Sequence, residues 1–260
     1  INNPVTIPVW LLAIVYFFVK KKKTGYNFIF VVFVTVAFIL TINGTSKPEY
    51  LAAIFPVLFI GGALFTGHLL KNKRWVQVTI IALLISGVFL IPFAIPILPV
   101  EKYIKYADFI GIKPESAESK ELSARPQFYA DMFGWKEKAA AVSEAYSDLP
   151  PDVQKKAVFF GDNYGRSAAI EYYSRQYNLP RSIGNHNNYW LWGPGHEDIE
   201  VVFILSRDVG DKTSVFEVVE DLGTVTCEYC MPYENNLHLY RCSGFKKSLK
   251  EIWAGKKSFI

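Results

Sequence analysis

The residues best suited to binding a ligand lie between positions 159 and 194. An apolar run there ends in a glycine, an acid and an amide, and a second loop brings amides, aromatic rings and a histidine together. Rings offer apolar faces and amides supply donors and acceptors, which suits a planar or sugar-like ligand. The alternative is a packed corner of the fold. The candidate acceptor or glycan residues are Asp162, Asn163, Tyr164, His186, Asn187, Tyr189, Trp190 and Trp192.

The same segment carries groups that can act as acids or bases. His186 and His196 flank the tryptophan-rich loop, but no serine or cysteine is identifiably paired with either histidine as a nucleophile. Carboxylates at Asp162, Glu197 and Asp198 offer a possible pair, whose separation the sequence does not fix. We therefore predict no catalytic residue in this chain.

The turn from Gly161 to Gly165 follows a short apolar run and precedes a helical pattern. Backbone amides at such a helix N-terminus can face an anion. The turn lacks the three-glycine spacing of dinucleotide sites and the lysine-serine pair of a P-loop, so it gives little support to nucleotide binding. The alternative is that Asp162 or Asn163 caps the helix and the glycines only form the turn.

The chain has three cysteines, Cys227, Cys230 and Cys242. Disulfides persist outside the cytoplasm, and a bridge from Cys227 or Cys230 to Cys242 would join neighbouring strands. A zinc site is the alternative, with His238 as a nearby fourth ligand. We favour a disulfide with one free thiol and predict no metal site.

A folded domain is needed to position these residues. From residue 128 onward short apolar runs alternate with helical patterns, which predicts a soluble α/β domain with a mixed or parallel sheet over residues 128–260. Residues 101–127 are polar and broken by proline and glycine, as in a linker. The predicted strands are residues 157–160, 181–184, 200–205, 224–229 and 237–242, and the predicted helices are residues 128–149, 166–177 and 213–222.

The first hundred residues differ sharply from the rest. The chain is 51% hydrophobic with a net charge of +4, and residues 4–100 are almost entirely apolar. Helical runs of about 18 apolar residues cross the hydrocarbon core of a bilayer. The sequence thus predicts an α-helical membrane domain of about four transmembrane helices over residues 1–100. The chain begins at Ile1 without methionine, so we expect it to be part of a longer protein. The four runs cover residues 5–19, 26–42, 50–70 and 75–100.

Basic residues predict the orientation of these helices. Four lysines at residues 20–23 and three basic residues at 71–74 separate successive pairs of runs. Lysine and arginine concentrate in short cytoplasmic loops, so the loop at residues 43–49 and everything after residue 100 lie outside. Lys47 in that outer loop can hold a lipid phosphate or snorkel to the interface as an anchor, and the physical argument alone favours the anchor.

These features together resemble a known family. An outer loop reading Lys47-Pro48-Glu49-Tyr50 enters an apolar helix, and an extracytoplasmic domain follows it. The segments from Gly161 to Gly165 and from His186 to Pro194 complete the likeness. The chain resembles the C-terminal part of bacterial family 39 membrane glycosyltransferases, relatives of the protein O-mannosyltransferases and of the lipid A aminoarabinose transferase.

The resemblance implies an integral enzyme of the GT-C type in the bacterial cytoplasmic membrane. It would move a sugar from a polyprenyl-phosphate donor to a glycan or protein acceptor outside the cytoplasm, with Lys47 and Tyr50 at the donor lipid phosphate. The family's catalytic acidic residues lie in an earlier outer loop that this chain does not contain. The resemblance leaves open whether the full-length enzyme binds a divalent metal, and no nucleic-acid partner is expected. The alternative is a non-catalytic membrane-anchored module that binds glycan or another partner.

Overall fold

The computed structural model describes residues 3–19, 27–43, 48–111, 126–195 and 198–259. The chain divides into two compact units, Ile1–Lys105 and Tyr106–Ile260. This division lies close to the expected end of the membrane domain at residue 100.

The first unit is built of apolar helices. In the described chain, Tyr50–Leu69 and Lys73–Ala94 are long and apolar enough to cross a membrane. Only 17% and 6% of these two segments are buried, whereas the core helix of a soluble protein is mostly buried. The first two helices are apolar but shorter, so four transmembrane helices remain a prediction. The helices are α1 (Ile7–Val19), α2 (Asn27–Ile42), α3 (Phe55–Leu69, preceded by a 3-10 turn at Pro48–Ile54) and α4 (Lys73–Ala94).

Helices α1 and α3 pack closely because α3 carries glycines at the contact. A Cβ at Gly62 would lie 2.7 Å from the carbonyl carbon of Val9, so a larger residue would push the helices apart. Small residues allow this approach in membrane proteins. Ala13, Phe17 and Leu58 are buried beside the contact.

The predicted linker begins as a helix, α5 (Val100–Ile110). Val100, Tyr103 and Ala107 are buried on one of its faces, at the spacing of an amphipathic helix. This helix was not predicted from the sequence, because its frequent charges hid the apolar stripe. Residues 112–125 lie outside the described residues.

The second unit is a mixed α/β domain, as predicted, and its mixed sheet has five strands. Its strand order is β2-β1-β3-β5-β4, with β1, β2 and β3 parallel and β5 antiparallel to both of its neighbours. The strands are β1 (Ala157–Gly161), β2 (Arg181–Gly184), β3 (Val201–Ser206), β4 (Phe216–Val225) and β5 (Leu237–Phe245). The helices are α6 (Gln127–Ala130), α7 (Trp135–Ser147), α8 (Pro151–Gln154), α9 (Tyr164–Tyr173), α10 (Asn188–Trp192), α11 (Lys212–Val215) and α12 (Leu249–Gly255).

Three predicted elements differ most from the structure in type or extent. The helix predicted at residues 213–222 is the single turn α11 followed by strand β4. Its apolar residues are spaced three and four apart, which imitates a helix, but Val218 and Val219 pair with β5 as a strand. The strand predicted at residues 224–229 ends with β4 at Val225. The helix predicted at residues 128–149 is interrupted at Gly134, whose φ of +87° places it in the left-handed region.

Alternate residues of the strands supply two cores, one on each face of the sheet. Phe159 and Phe203 are fully buried on the first face, which α7 and α9 cover. Val158 and Val202 are buried on the second face, where the coverage comes from the shorter α11 and α12. The second face therefore has the thinner cover.

Candidate functional site

The candidate residues gather at one edge of the sheet. Strands β1, β2 and β3 are parallel, so the residues that follow them leave the sheet at the same side. Asp162 and Asn163 follow β1, and the loop Asn185 to Asn187 follows β2. Ligands in α/β sheets favour this carboxyl edge.

The turn after β1 is held by a helix cap and by close packing. Asn163 Oδ1 accepts a hydrogen bond of 2.9 Å from the backbone N–H of Arg166, so Asn163 is the N-cap of α9. Of the two predicted roles for this turn, anion binding or helix capping, the structure shows the cap. Ser167 Oγ donates to the carbonyl of Ile183 at 3.1 Å. A Cβ at Gly184 would lie 2.6 Å from that hydroxyl, so the glycine brings the helix N-terminus against β2.

A buried charge network lies behind this turn. Glu234 is 4% exposed, and its carboxylate contacts Arg166 at 3.1 Å and Lys138 Nζ at 2.9 Å. Asn163 Nδ2 donates to the same carboxylate at 3.2 Å. Burial alone would raise the pKa of Glu234, but the charges of Arg166 and Lys138 outweigh it and lower that pKa below its ordinary value.

This network gives Asp162 and Asn163 a structural role. Asp162 Oδ1 accepts from Arg166 at 2.7 Å, and Arg166 also donates to the carbonyl of Leu205 at the end of β3. Asn163 is occupied by the cap and by Glu234. The four-residue spacing of Asp162 and Arg166 is a sequence signal for their pairing, whereas nothing in the sequence links them to Lys138 or Glu234.

An open groove of about 620 Å³ lies beside the network and contains most of the predicted recognition residues. Trp192 is 66% exposed and Tyr164 is 51% exposed, so their ring faces are accessible. The rings of Tyr189 and Trp192 lie 4.9 Å apart at an angle of 67°, and Tyr164 packs on His186 at 5.1 Å. The groove is lined by Tyr164, His186, Asn187, Asn188, Tyr189, Trp192 and Phe259.

Hydrogen bonds fix the polar groups of the groove. The backbone N–H of Tyr164 donates to His186 Nδ1 at 3.4 Å, so the proton of a neutral His186 ring lies on Nε2. Tyr189 donates its hydroxyl to Glu171 at 2.6 Å. Burial, together with this bond, raises the pKa of Tyr189, so the phenol stays protonated near neutral pH. Asn187 has a φ of +51°, uncommon for a residue other than glycine, and backbone strain of this kind concentrates at functional sites.

The C-terminal tail forms one wall of the groove. Ser258 pairs with His186 as a parallel bridge: its N–H donates to the carbonyl of Asn185 at 3.0 Å, and its carbonyl accepts from Asn187 at 2.9 Å. The tail thereby extends the sheet edge beside β2 and brings Phe259 into the groove. No sequence pattern pairs residue 258 with residue 186, so this wall could not be predicted.

Trp190 holds the tail instead of facing the groove. Its Nε1 donates to the carbonyl of Trp253 at 3.0 Å, and Trp253 Nε1 returns a bond to the carbonyl of Trp190 at 3.2 Å. Its ring also packs against Phe259, with Lys257 Nζ 5.0 Å from the ring centre. The prediction that Trp190 contacts ligand is corrected to a positioning role, because these contacts occupy its donor and its ring.

The three cysteines are free and buried, and the strand register corrects the predicted bridge to Cys242. Val225 at the end of β4 pairs with Leu237, five residues from Cys242 along β5. That length of strand is about 17 Å, whereas bridged Cα atoms lie within about 7 Å. Cys227 and Cys230 belong to one turn beyond β4, where Cys230 Sγ donates to the carbonyl of Cys227 at 3.1 Å. Burial raises the pKa of Cys230 to about 12 and that of Cys242 to about 11.

Each of the remaining predicted residues either lies outside the described residues or does not line the groove. Lys47, His196 and Glu197 lie outside the described residues, and Tyr50 is 56% exposed in the 3-10 turn before α3. His238 Nδ1 lies 2.7 Å from Asp221 on the neighbouring strand. Within the described ranges, no group of three or more His, Cys, Asp or Glu is arranged to hold a metal ion. Comparisons with protein-family models, curated proteins and solved structures found no match for this chain.

Proposed function

We propose that the aromatic groove binds a glycan. The main support is the exposed ring of Trp192, which lies at an angle of 67° to the ring of Tyr189 in a groove that also contains His186 and Asn187. A sugar ring offers C–H groups that stack on an aromatic face and hydroxyls that bond to amides and imidazole. The volume of about 620 Å³ falls within the range of about 300–1,000 Å³ typical of ligand sites.

Binding by the full chain in detergent micelles tests the groove. Trp192→Ala removes a stacking surface, and we expect it to weaken glycan affinity about five- to tenfold, since one aromatic contact contributes about 1–1.4 kcal/mol. The measurement is a screen on a glycan array, followed by calorimetric titration of the best hit. Leu191→Ala is the matched control, because Leu191 is 62% exposed on the same helix and does not line the groove. Equal affinity of wild type and Trp192→Ala would refute the proposal.

The groove fits a wider proposal for the whole protein. We infer that the chain is the C-terminal portion of an integral membrane glycosyltransferase that uses a polyprenyl-phosphate sugar and acts outside the cytoplasm. Two segments with the length and composition of membrane spans support this, as does the resemblance at Lys47 to Tyr50. In this proposal the groove recognises the acceptor, and about four helices cross the bacterial cytoplasmic membrane.

The proposed glycosyltransferase activity is tested by measuring the transfer of a labelled sugar from polyprenyl phosphate by the full-length protein. We expect Lys47→Ala to reduce transfer at least tenfold by removing a charge from the lipid phosphate. Lys71→Ala removes a lysine from the short connection between α3 and α4 and is expected to leave transfer unchanged. Full transfer by Lys47→Ala would exclude the donor role of that lysine. Glycan binding without any transfer would favour the membrane-anchored binding module.

A further inference from the structure

A second cavity lies on the thinly covered face of the sheet and is separate from the aromatic groove. It has a volume of about 180 Å³ and lies between the sheet and helices α11 and α12. Ile204 lines it from the sheet, Val215 from α11, and Leu249, Ile252 and Trp253 from α12. Apolar cavities of about 150 Å³ hold one benzene-sized molecule in proteins. This cavity is therefore large enough for a ring or a branched chain of about six to eight carbons.

The charged groups around the cavity already have polar partners within the protein. Lys212 Nζ donates to the carbonyls of Asp208 and Val209 at 2.9 and 3.1 Å. Asp211 and Lys256 form an ion pair with each other. Asp162, which also lines the cavity, is paired with Arg166. A cationic ligand would lose its hydration without gaining a free carboxylate, and an anionic ligand would draw Lys212 away from its two carbonyls. A neutral ligand leaves these contacts unchanged.

One polar atom of a residue that lines the cavity lacks a partner. Among the described residues that line the cavity, Asn185 carries a buried side-chain oxygen, Oδ1, with no hydrogen bond. The hydroxyl of Ser206 is occupied by the carbonyl of Asp208 at 2.6 Å. A buried acceptor without a partner is unfavourable. A single water needs two to four partners, and the other polar side chains named around the cavity are already hydrogen-bonded or ion-paired.

We propose that this cavity is a binding site for a small neutral alcohol or phenol, whose apolar body fills the space under α12 and whose hydroxyl bonds to the Asn185 amide. A hydroxyl both donates and accepts, so it satisfies either end of the amide. The site is distinct from the aromatic groove, because Asn185 lines the cavity while the next residue, His186, lines the groove. The proposal does not depend on glycan binding.

Fluorine NMR of 4-fluorobenzyl alcohol with the full chain in detergent micelles tests the site. We expect concentration-dependent broadening of the probe signal, and at least tenfold weaker binding of 4-fluorotoluene, which has the ring without the hydroxyl. Ile252→Trp fills the cavity from α12 and Val215→Phe fills it from α11, and both are expected to abolish the broadening. Two filling variants from different helices separate loss of the site from unfolding of either helix.

Two further variants test the hydroxyl contact and control for the added tryptophan ring. Asn185→Leu keeps the size of the side chain but removes the amide, and it should reduce the preference for the alcohol over 4-fluorotoluene at least fivefold. Lys250→Trp adds the same ring as Ile252→Trp to the exposed side of α12 and should bind the probe like the wild type. Equal broadening with wild type and both filling variants, which is the signal of micelle partitioning alone, would overturn the cavity site. An unchanged alcohol preference in Asn185→Leu would overturn hydroxyl recognition.

Discussion

Glu234 is buried with charges that compensate one another. A carboxylate that is 4% exposed would ordinarily be neutralised, but Arg166 and Lys138 keep it ionised and Asn163 adds a hydrogen bond. The same arginine connects Asp162 to the carbonyl of Leu205. This one carboxylate thus joins α7, α9 and the segment before β5 behind the groove.

Replacing Glu234 by Gln should destabilise the domain strongly. The change leaves the Lys138 cation buried without a counter-charge and leaves Arg166 paired with Asp162. Breaking a buried ion pair costs about 3–5 kcal/mol in the free energy of unfolding. Urea unfolding of the full chain in micelles, followed by tryptophan fluorescence, measures this loss. Glu220→Gln removes a half-exposed partner of Arg241 and should cost about 1 kcal/mol or less. A loss under 1 kcal/mol for Glu234→Gln would show that the network contributes little.

The same carboxylate predicts how stability depends on pH. The pKa of Glu234 is lower in the folded state than in the unfolded state, so its contribution is present above the unfolded value of about 4.3 and is lost as the pH falls through the folded value. We expect the free energy of unfolding to fall below about pH 4 in the wild type, and this part of the fall to be absent in Glu234→Gln. Identical acid profiles would contradict the assignment.

At the scale of elements, the sequence predicted the parts that local pattern controls. Strands β1 and β3 follow from short apolar runs, and the two longest candidate membrane spans follow from length and composition. Strand β4 was missed because Val215, Val218, Val219 and Leu222 have helical spacing, and only pairing with β5 decides between the two forms. Residues far apart in the sequence determine that pairing, so the local spacing of apolar residues does not reveal it.

The candidate site shows the same limit. Tyr164, His186, Asn187, Tyr189 and Trp192 were predicted from composition, and all five line one groove. The exposed ring of Trp192 and the ring of Trp190, which packs on the C-terminal tail, have the same sequence signature. Their difference comes from α12 and the tail, which engage Trp190 through Trp253 and Phe259. A tertiary contact therefore decides which aromatic residue is free to meet a ligand.

At the scale of the whole molecule, the distribution of basic residues predicts which side of the membrane each part occupies. The positive-inside rule predicts that the basic cluster between α3 and α4 lies in the cytoplasm. A span from residue 73 to residue 94 would then carry the α/β unit to the outside. This sidedness is a condition for the proposed transfer to an extracytoplasmic acceptor.

Cysteine accessibility in intact cells that express the full-length protein tests this orientation. Lys71→Cys introduces a thiol between α3 and α4, and Lys250→Cys introduces one on the exposed side of α12. We expect a membrane-impermeant maleimide to label Lys250→Cys in intact cells and to label Lys71→Cys only after permeabilisation. Background from the chain's own cysteines should be low because all three are buried, and burial raises the pKa of Cys230 and of Cys242, which reduces the reactive thiolate. The reverse pattern would place the groove in the cytoplasm, and equal labelling of both positions in intact cells would mean that α4 does not cross the membrane.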